Sequence, residues 1–223
     1  MIEKTGPAQG FWQYRKTASH IAVTLLLFVL GAYQASAAMQ QSPEELVTQT
    51  TDQLLRAQQA ELKAIEKDPA IAQKLVRKIL LPVIDVTLVS RAVLGKYWHR
   101  ASPEQRERFT KEFTEMLVRT YAAPLLTTTG VKVRYLSQDV SADGQYATVR
   151  TIVSQGDNQP VHVDYSLVKV NGEWKVYDVA VEGISSLITY RQEYYSVIQN
   201  MGLDKFLDKL AEKNRQASNQ PPG

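Results

Sequence analysis

The sequence predicts an α+β protein, a curved antiparallel meander sheet with helices packed across its concave face, an arrangement that leaves a cone-shaped apolar cavity. Three observations carry this prediction. Apolar residues recur at helical spacing up to Thr129, the period falls to two between Val131 and Glu182, and turn residues divide that second region into four runs.

The elements follow in order. Ser42-Pro43-Glu44-Glu45 supplies the cap, first-turn proline and acids of a helix start, so a helix is expected over Pro43–Glu66. Asp68-Pro69 repeats the signal, and Ile71, Leu75, Val76, Ile79 and Leu80 form an apolar stripe that Pro82 interrupts. A third helix over Val83–Leu94 stops at Gly95, the residue type that tolerates a left-handed stop. Ser102-Pro103-Glu104-Gln105 reads as a capping box, and the helix it opens carries Phe109, Phe113, Met116, Leu117 and Tyr121 on one side before Pro124 bends or ends it. Strands are expected over Val131–Val140, Tyr146–Ser154, Val161–Val170 and Glu173–Glu182. Asp143-Gly144, Gly156-Asp157-Asn158 and Asn171-Gly172 mark the turns, the last being the two-residue type I′ signal that demands consecutive antiparallel strands. Val161, Val163, Tyr165 and Leu167 alternate with His162, Asp164 and Ser166, which makes one face of the sheet strongly apolar. Ser185 or Ser186 caps a helix carrying Leu187, Ile188, Tyr194, Tyr195 and Ile198, Gly202 ends it, and a last helix carries Leu203, Phe206, Leu207 and Leu210.

The N-terminus reads as an address. Arg15 and Lys16 precede the apolar run Ile21–Leu30, and Ala35-Ser36-Ala37 follows with small residues two apart, the three parts of a secretory signal peptide. The run is short for a membrane span, which needs about 20 apolar residues. Cleavage after Ala37 removes Lys4, Arg15 and Lys16 against Glu3 and leaves a nearly neutral chain. The expected organisation is a signal peptide over 1–37, one domain over 38–215 (helical 43–129, sheet 131–182, C-terminal helices 185–213) and an unordered tail over 216–223. The bacterial periplasm is the expected compartment.

Composition narrows the function. Lys and Arg number 26 against 23 Asp and Glu, a net charge of +3, so the concentrated positive field that nucleic acid requires is missing and no nucleic-acid partner is expected. Cysteine is absent, which excludes disulfides, thiolate metal sites and a cysteine nucleophile. With the signal peptide gone only His99 and His162 remain, without metal-ligand spacing, so no metal and no cofactor is expected. His162 and Asp164 share a strand face but lack a nucleophile elbow, and they read as surface neighbours. Asp178 stands inside the apolar run Trp174–Val181 and must be paired, hydrogen-bonded or shifted. It reads either as a general base in a cone-shaped pocket or, preferably, as a structural acceptor, and Asp85 has the same two readings.

Leu94-Gly95-Lys96-Tyr97-Trp98, Ala101-Ser102-Pro103-Glu104-Gln105-Arg106 with Phe109 and Phe113, Val163-Asp164-Tyr165, Trp174–Val179, Glu182-Gly183-Ile184-Ser185 and Tyr190-Arg191 occur in that order. The set resembles the MlaC family, also called the toluene-tolerance Ttg2 family, and the resemblance extends over about Pro43 to Lys213. It implies a non-enzymatic periplasmic phospholipid carrier with an NTF2-like sheet and helices around a deep apolar pocket that holds acyl chains, phospholipid being the cargo. It also implies two docking partners, an outer-membrane lipoprotein–porin complex and an inner-membrane ABC transporter complex with an MCE-domain subunit. The implied role is maintenance of outer-membrane lipid asymmetry, with a monomer as the expected state of a shuttle. His162 stands where the resemblance leads one to expect a basic residue near the pocket mouth.

The expected lining follows from the inward apolar faces: Leu80 and Val83 near the proline break, Val93, Leu117, Tyr121 and Leu125 from the helices, Val149, Val163 and Tyr165 from the sheet, and Ile184, Leu187 and Ile188 at the closing turn. The sheet members rest on one choice of parity and stand or fall together. Two other classes compete with the carrier. One is an exported cone-fold enzyme using Asp178 or the His162/Asp164 pair, and the other is a periplasmic chaperone or adaptor with a protein-binding groove.

Overall fold

The computed structural model describes residues 41–219, so the expected signal peptide lies outside the described residues, as do positions 220–223 of the expected tail. Helices α1 (Pro43–Lys67) and α2 (Ala70–Ile79), a 3-10 turn (Leu81–Val83), α3 (Val86–Leu94), α4 (Lys96–Arg100) and α5 (Pro103–Thr127) come first. Strands β1 (Val131–Val140), β2 (Tyr146–Gln155), β3 (Val161–Val170), β4 (Glu173–Val181) and β5 (Ile184–Ser185) follow, then α6 (Ser186–Met201) and α7 (Leu203–Asn219). The α+β order is the expected one. The strands lie β1-β2-β3-β4-β5 in one antiparallel sheet, a meander.

Local chemistry sets most of the boundaries. Ser42 and Ser102 both close capping boxes: each hydroxyl accepts from the backbone of the third helical residue, and Glu45 or Gln105 accepts from the serine N–H in return. Asn171 and Gly172 have φ of 51° and 88°, the two positive values a type I′ hairpin requires. Glu182 and Gly183 repeat this at 49° and 76°, and that turn adds the short β5, which the sequence reading leaves out.

Apart from shifts of a residue or so, two boundaries depart from expectation, and Pro124 lies within its helix. Helix α3 begins at Val86 and not at Val83, because Pro82 holds Leu81–Val83 in the 3-10 turn and Ile84 becomes extended, bridging in parallel to Val176 of β4. The Asp85 N–H donates to the Val176 carbonyl at 3.1 Å while the Asp85 carboxylate accepts from Leu88 N at 2.8 Å, so Asp85 is the N-cap of α3. Pro124 does not end α5, which continues to Thr127; proline's missing N–H leaves the Thr120 carbonyl without its helical donor. Helix α7 runs to Asn219, past Gln216 where the tail is expected to begin. Asn214 anchors it to α5 by donating to the Glu112 carbonyl and carboxylate at 2.9 and 2.6 Å.

The core forms three clusters. Phe109 and Phe113 of α5 pack with Val93 and Leu94 of α3, Leu187, Tyr194 and Ile198 of α6, and Phe206, Leu207 and Leu210 of α7. Further along α5, Val118, Ala122 and Leu126 pack with Ile65 of α1 and Ala72 and Val76 of α2. Leu46 and Val47 of α1 cover Ala147, Val149, Leu167 and Trp174 of the sheet. Arg77 and Glu115 add a two-pronged ion pair between α2 and α5, at 2.9 and 2.5 Å.

Gly95, between α3 and α4, has φ 49° and ψ −115°, and a Cβ there would stand 2.1 Å from the Tyr195 hydroxyl. That hydroxyl accepts from Lys96 N at 2.8 Å, and the Tyr195 ring meets Tyr97 edge-on at 5.2 Å, so it cannot retreat without loss. Gly95→Ala is expected to lower unfolding free energy by about 1–3 kcal/mol, measured by urea denaturation. Adding Tyr195→Phe should restore only part of the loss, because the positive φ remains.

Candidate functional site

Strand register assembles one continuous apolar face. Val133 and Tyr135 of β1, Val149, Thr151 and Val153 of β2, Val161, Val163, Tyr165 and Leu167 of β3, and Val176, Val179 and Val181 of β4 are cross-strand partners and point the same way. A bulge at Tyr177 keeps Val176 and Val179 on that face although they are three residues apart. The expected Val149, Val163 and Tyr165 therefore share a face, Val149 opposite Tyr165, and Val163 is flanked by Val181.

Cover over this face is uneven. Helix α1 buries Val149 fully on the β1–β2 side. Toward β4, Tyr165, Val176 and Val179 are only half-buried and Val181 is 43% exposed. Helices α3 and α6 reach β4, whereas α5 makes no extended contact with any strand. At this under-covered side the chain turns through β5 into α6 and presents Ile184 at 68% and Ile188 at 50% exposure. The last turns of α5 present Tyr121 and Leu125, also about half exposed, and the Tyr121 hydroxyl lies 2.8 Å from that of Tyr190, tying α5 to α6. Exposed large apolar side chains thus stand both at the β5–α6 turn and on the last turns of α5.

The remaining expected residues fall elsewhere. Val83 joins the cluster on the sheet face, Leu80 packs with α1 and α5, and Val93, Leu117 and Leu187 belong to the helical cluster around Phe109 and Phe113. The sequence reading misses Val47, Val133, Tyr135, Val179 and Val181. The signal for the last two is legible in hindsight: apolar parity along Trp174–Val181 switches at Tyr177-Asp178, the mark of a bulge. Among the described residues there are hollows of about 200 Å³ between α5, α6 and α7 and about 90 Å³ between α1 and β1–β2. None of the expected residues lines either one.

The carboxylates singled out in the sequence are structural. Asp178 Oδ1 accepts from Val179 N at 2.9 Å and Leu187 N at 3.0 Å, and Oδ2 from the Ser185 hydroxyl at 2.5 Å. It therefore staples β4 to the start of α6, where Ser185 in turn caps Ile188 N at 3.1 Å. His162 is exposed on the opposite, polar face of the sheet, where Asp164 lies across from Arg150, itself bonded to Asp139. Burial raises the hydroxyl pKa of Tyr165, with the neighbouring Thr151 hydroxyl opposing it. Burial likewise raises Tyr190, aided by the Tyr121 hydrogen bond, and Tyr194, aided by Glu193.

The model of the MlaC protein family matches residues 48–212. The chain belongs to the MlaC family. Similar to it is the intermembrane phospholipid transport system binding protein MlaC of Haemophilus influenzae, 31% identical over 203 residues that cover 89% of this chain and 93% of that one. The toluene tolerance protein ttg2D of Pseudomonas putida is 31% identical over 205 residues, 88% of this chain and 94% of that protein. In three dimensions this MlaC-family chain matches the phospholipid-binding protein from Ralstonia solanacearum, solved in complex with a phospholipid, with a TM-score of 0.71 and 27% identity over 78% of this chain and 97% of that one.

Asp178→Ala removes three accepted hydrogen bonds and is expected to cost about 1.5–3 kcal/mol of stability, measured by chemical unfolding. The raised tyrosines give a pH signature. The unfolded chain loses these protons from about pH 10 while the folded chain keeps them, so their contribution is intact below that value and lost as pH rises above it. Urea midpoints between pH 8 and 11 should fall on the alkaline side, and Tyr190→Phe should flatten the slope.

Proposed function

We propose that this MlaC-family protein is a periplasmic phospholipid carrier that takes acyl chains between the inner face of its sheet and the helices and leaves the head group at the mouth. The single observation that carries this reading is the half-covered apolar face running from Tyr165 and Val179 out to the exposed Val181, Ile184 and Ile188. The phospholipid bound in the Ralstonia solanacearum neighbour and the name of the Haemophilus influenzae relative support it. Family membership makes the protein a lipid carrier and not an enzyme.

Physical chemistry sets what such a carrier must do. Each buried CH₂ is worth about 0.8 kcal/mol, so one long chain amounts to roughly 10 kcal/mol or more, and free lipid in an aqueous compartment is negligible. The cavity must match the bilayer approximately, since weaker binding extracts no lipid and tighter binding releases none. Val83, Val149, Val163 and Tyr165 form the floor in this reading, and Tyr121, Leu125, Ile184 and Ile188 the mouth. Leu80, Val93, Leu117 and Leu187 are reached only if the helices part from one another, with the 3-10 turn at Pro82 and the last turn of α5 around Pro124 as the places that yield. Delivery is between an outer-membrane lipoprotein–porin complex and an inner-membrane ABC transporter with an MCE-domain subunit. The ATPase supplies direction, so that outer-membrane asymmetry is maintained.

Native mass spectrometry of protein purified without detergent should show a bound mass that organic extraction resolves into phospholipid. Ile184→Glu places a charge at an exposed position, where the fold tolerates it, and is expected to abolish lipid retention with an unchanged circular dichroism spectrum. A clean apo mass that takes up no lipid from vesicles would overturn the carrier reading.

A further inference from the structure

The hollow between α5, α6 and α7 is walled by Met116, Val197, Phe206 and Leu210, with Tyr190, Tyr194 and Glu193 from α6 and Lys209 and Lys213 from α7. No residue of the sheet or of α1 contributes, so it is separate from the lipid face. Its volume of about 200 Å³ exceeds the roughly 150 Å³ that lets an apolar cavity take up benzene and falls short of a diacyl lipid. Two features give it chemistry beyond a gap in packing. Tyr194 is 6% exposed and lines the hollow, yet its hydroxyl has no hydrogen-bond partner among the described residues. That hydroxyl is free to donate to a ligand oxygen in place of water. Lys209 and Lys213 stand one helical turn apart, and neither is ion-paired among the described residues, since the acids beside them on α7, Asp208 and Glu212, are bonded to Arg108 and Arg215.

We propose that this hollow is a second binding site, for a short single-chain monoanion such as a medium-chain carboxylate. The chain end enters the apolar wall, the carboxylate takes the two ammonium groups, and the Tyr194 hydroxyl is a neutral donor in the same lining. Glu193 faces the same hollow, so two lysines stand against one carboxylate, an excess that favours one negative charge and disfavours a cation. Sheet-side lipid and this ligand are bound independently.

The test titrates purified protein carrying ¹³C-methyl methionine with octanoate, octan-1-ol and octylammonium, reading the Met116 methyl resonance by NMR. Octanoate is expected to shift it saturably, with octylammonium about tenfold weaker, the ratio two solvent-exposed charge pairs supply. Lys209→Gln with Lys213→Gln should weaken octanoate and leave octan-1-ol unchanged, and Val197→Trp, at a half-buried position, should block both. Equal response to octylammonium, or indifference to the lysine pair, would overturn the proposal. So would loss of the octanoate shift in phospholipid-loaded protein, which would place octanoate on the lipid face. Absence of co-purifying phospholipid counts against the carrier reading alone and leaves this result standing.

Discussion

Helix α5 carries two hydrophobic clusters on one rigid backbone, and the other elements take their places from it. Its first half buries Phe109 and Phe113 against α3, α6 and α7, and its second half buries Val118, Ala122 and Leu126 against α1 and α2. A helix of 25 residues holds those two groups at a fixed separation. The sheet is then suspended from both sides, with α1 lying over β1 and β2 and with α3 and α6 meeting β4. Helix cover over the apolar surface between them is incomplete, so Tyr165, Val176 and Val179 stay partly exposed. A fold that covered them would bury more apolar surface.

The residues that carry the family resemblance are mostly those that maintain this suspension. Gly95 lets α3 turn into α4 against the Tyr195 hydroxyl, and Arg106 donates to the Trp98 carbonyl at 2.9 Å while lying over its ring. Asp178 and Ser185 staple the end of the sheet to α6, and Arg191 donates from Nε to the Ala92 carbonyl near the end of α3 at 2.7 Å. None of these groups needs to touch a ligand. They fix where the half-covered apolar surface lies by tying helix to helix and sheet to helix.

Where a signal was local, it could be read in the chain. Both capping boxes, the Asn171-Gly172 turn and the strand alternation depend on residues within a few positions of one another, and the structure has them as expected. Where a partner lay far off, it could not. Ile84 leaves the helical pattern because Val176 offers it a backbone bridge, and α7 runs on past Gln216 because Glu112 holds Asn214. The bulge at Tyr177 belongs between these cases, written in a parity switch but visible as a bulge only once β3 lies beside it.

The sequence by itself determined the α+β class, the meander, the apolar character of one sheet face and the family, because period, turn chemistry and an ordered set of motifs survive without coordinates. Tertiary structure decided which apolar residues are core and which remain available. Val93, Leu117 and Leu187 look no different in the chain from Ile184 and Ile188, yet the first three pack among aromatic rings while the last two face outward. Hydrophobicity is a property of the side chain, whereas burial depends on what the rest of the molecule brings against it.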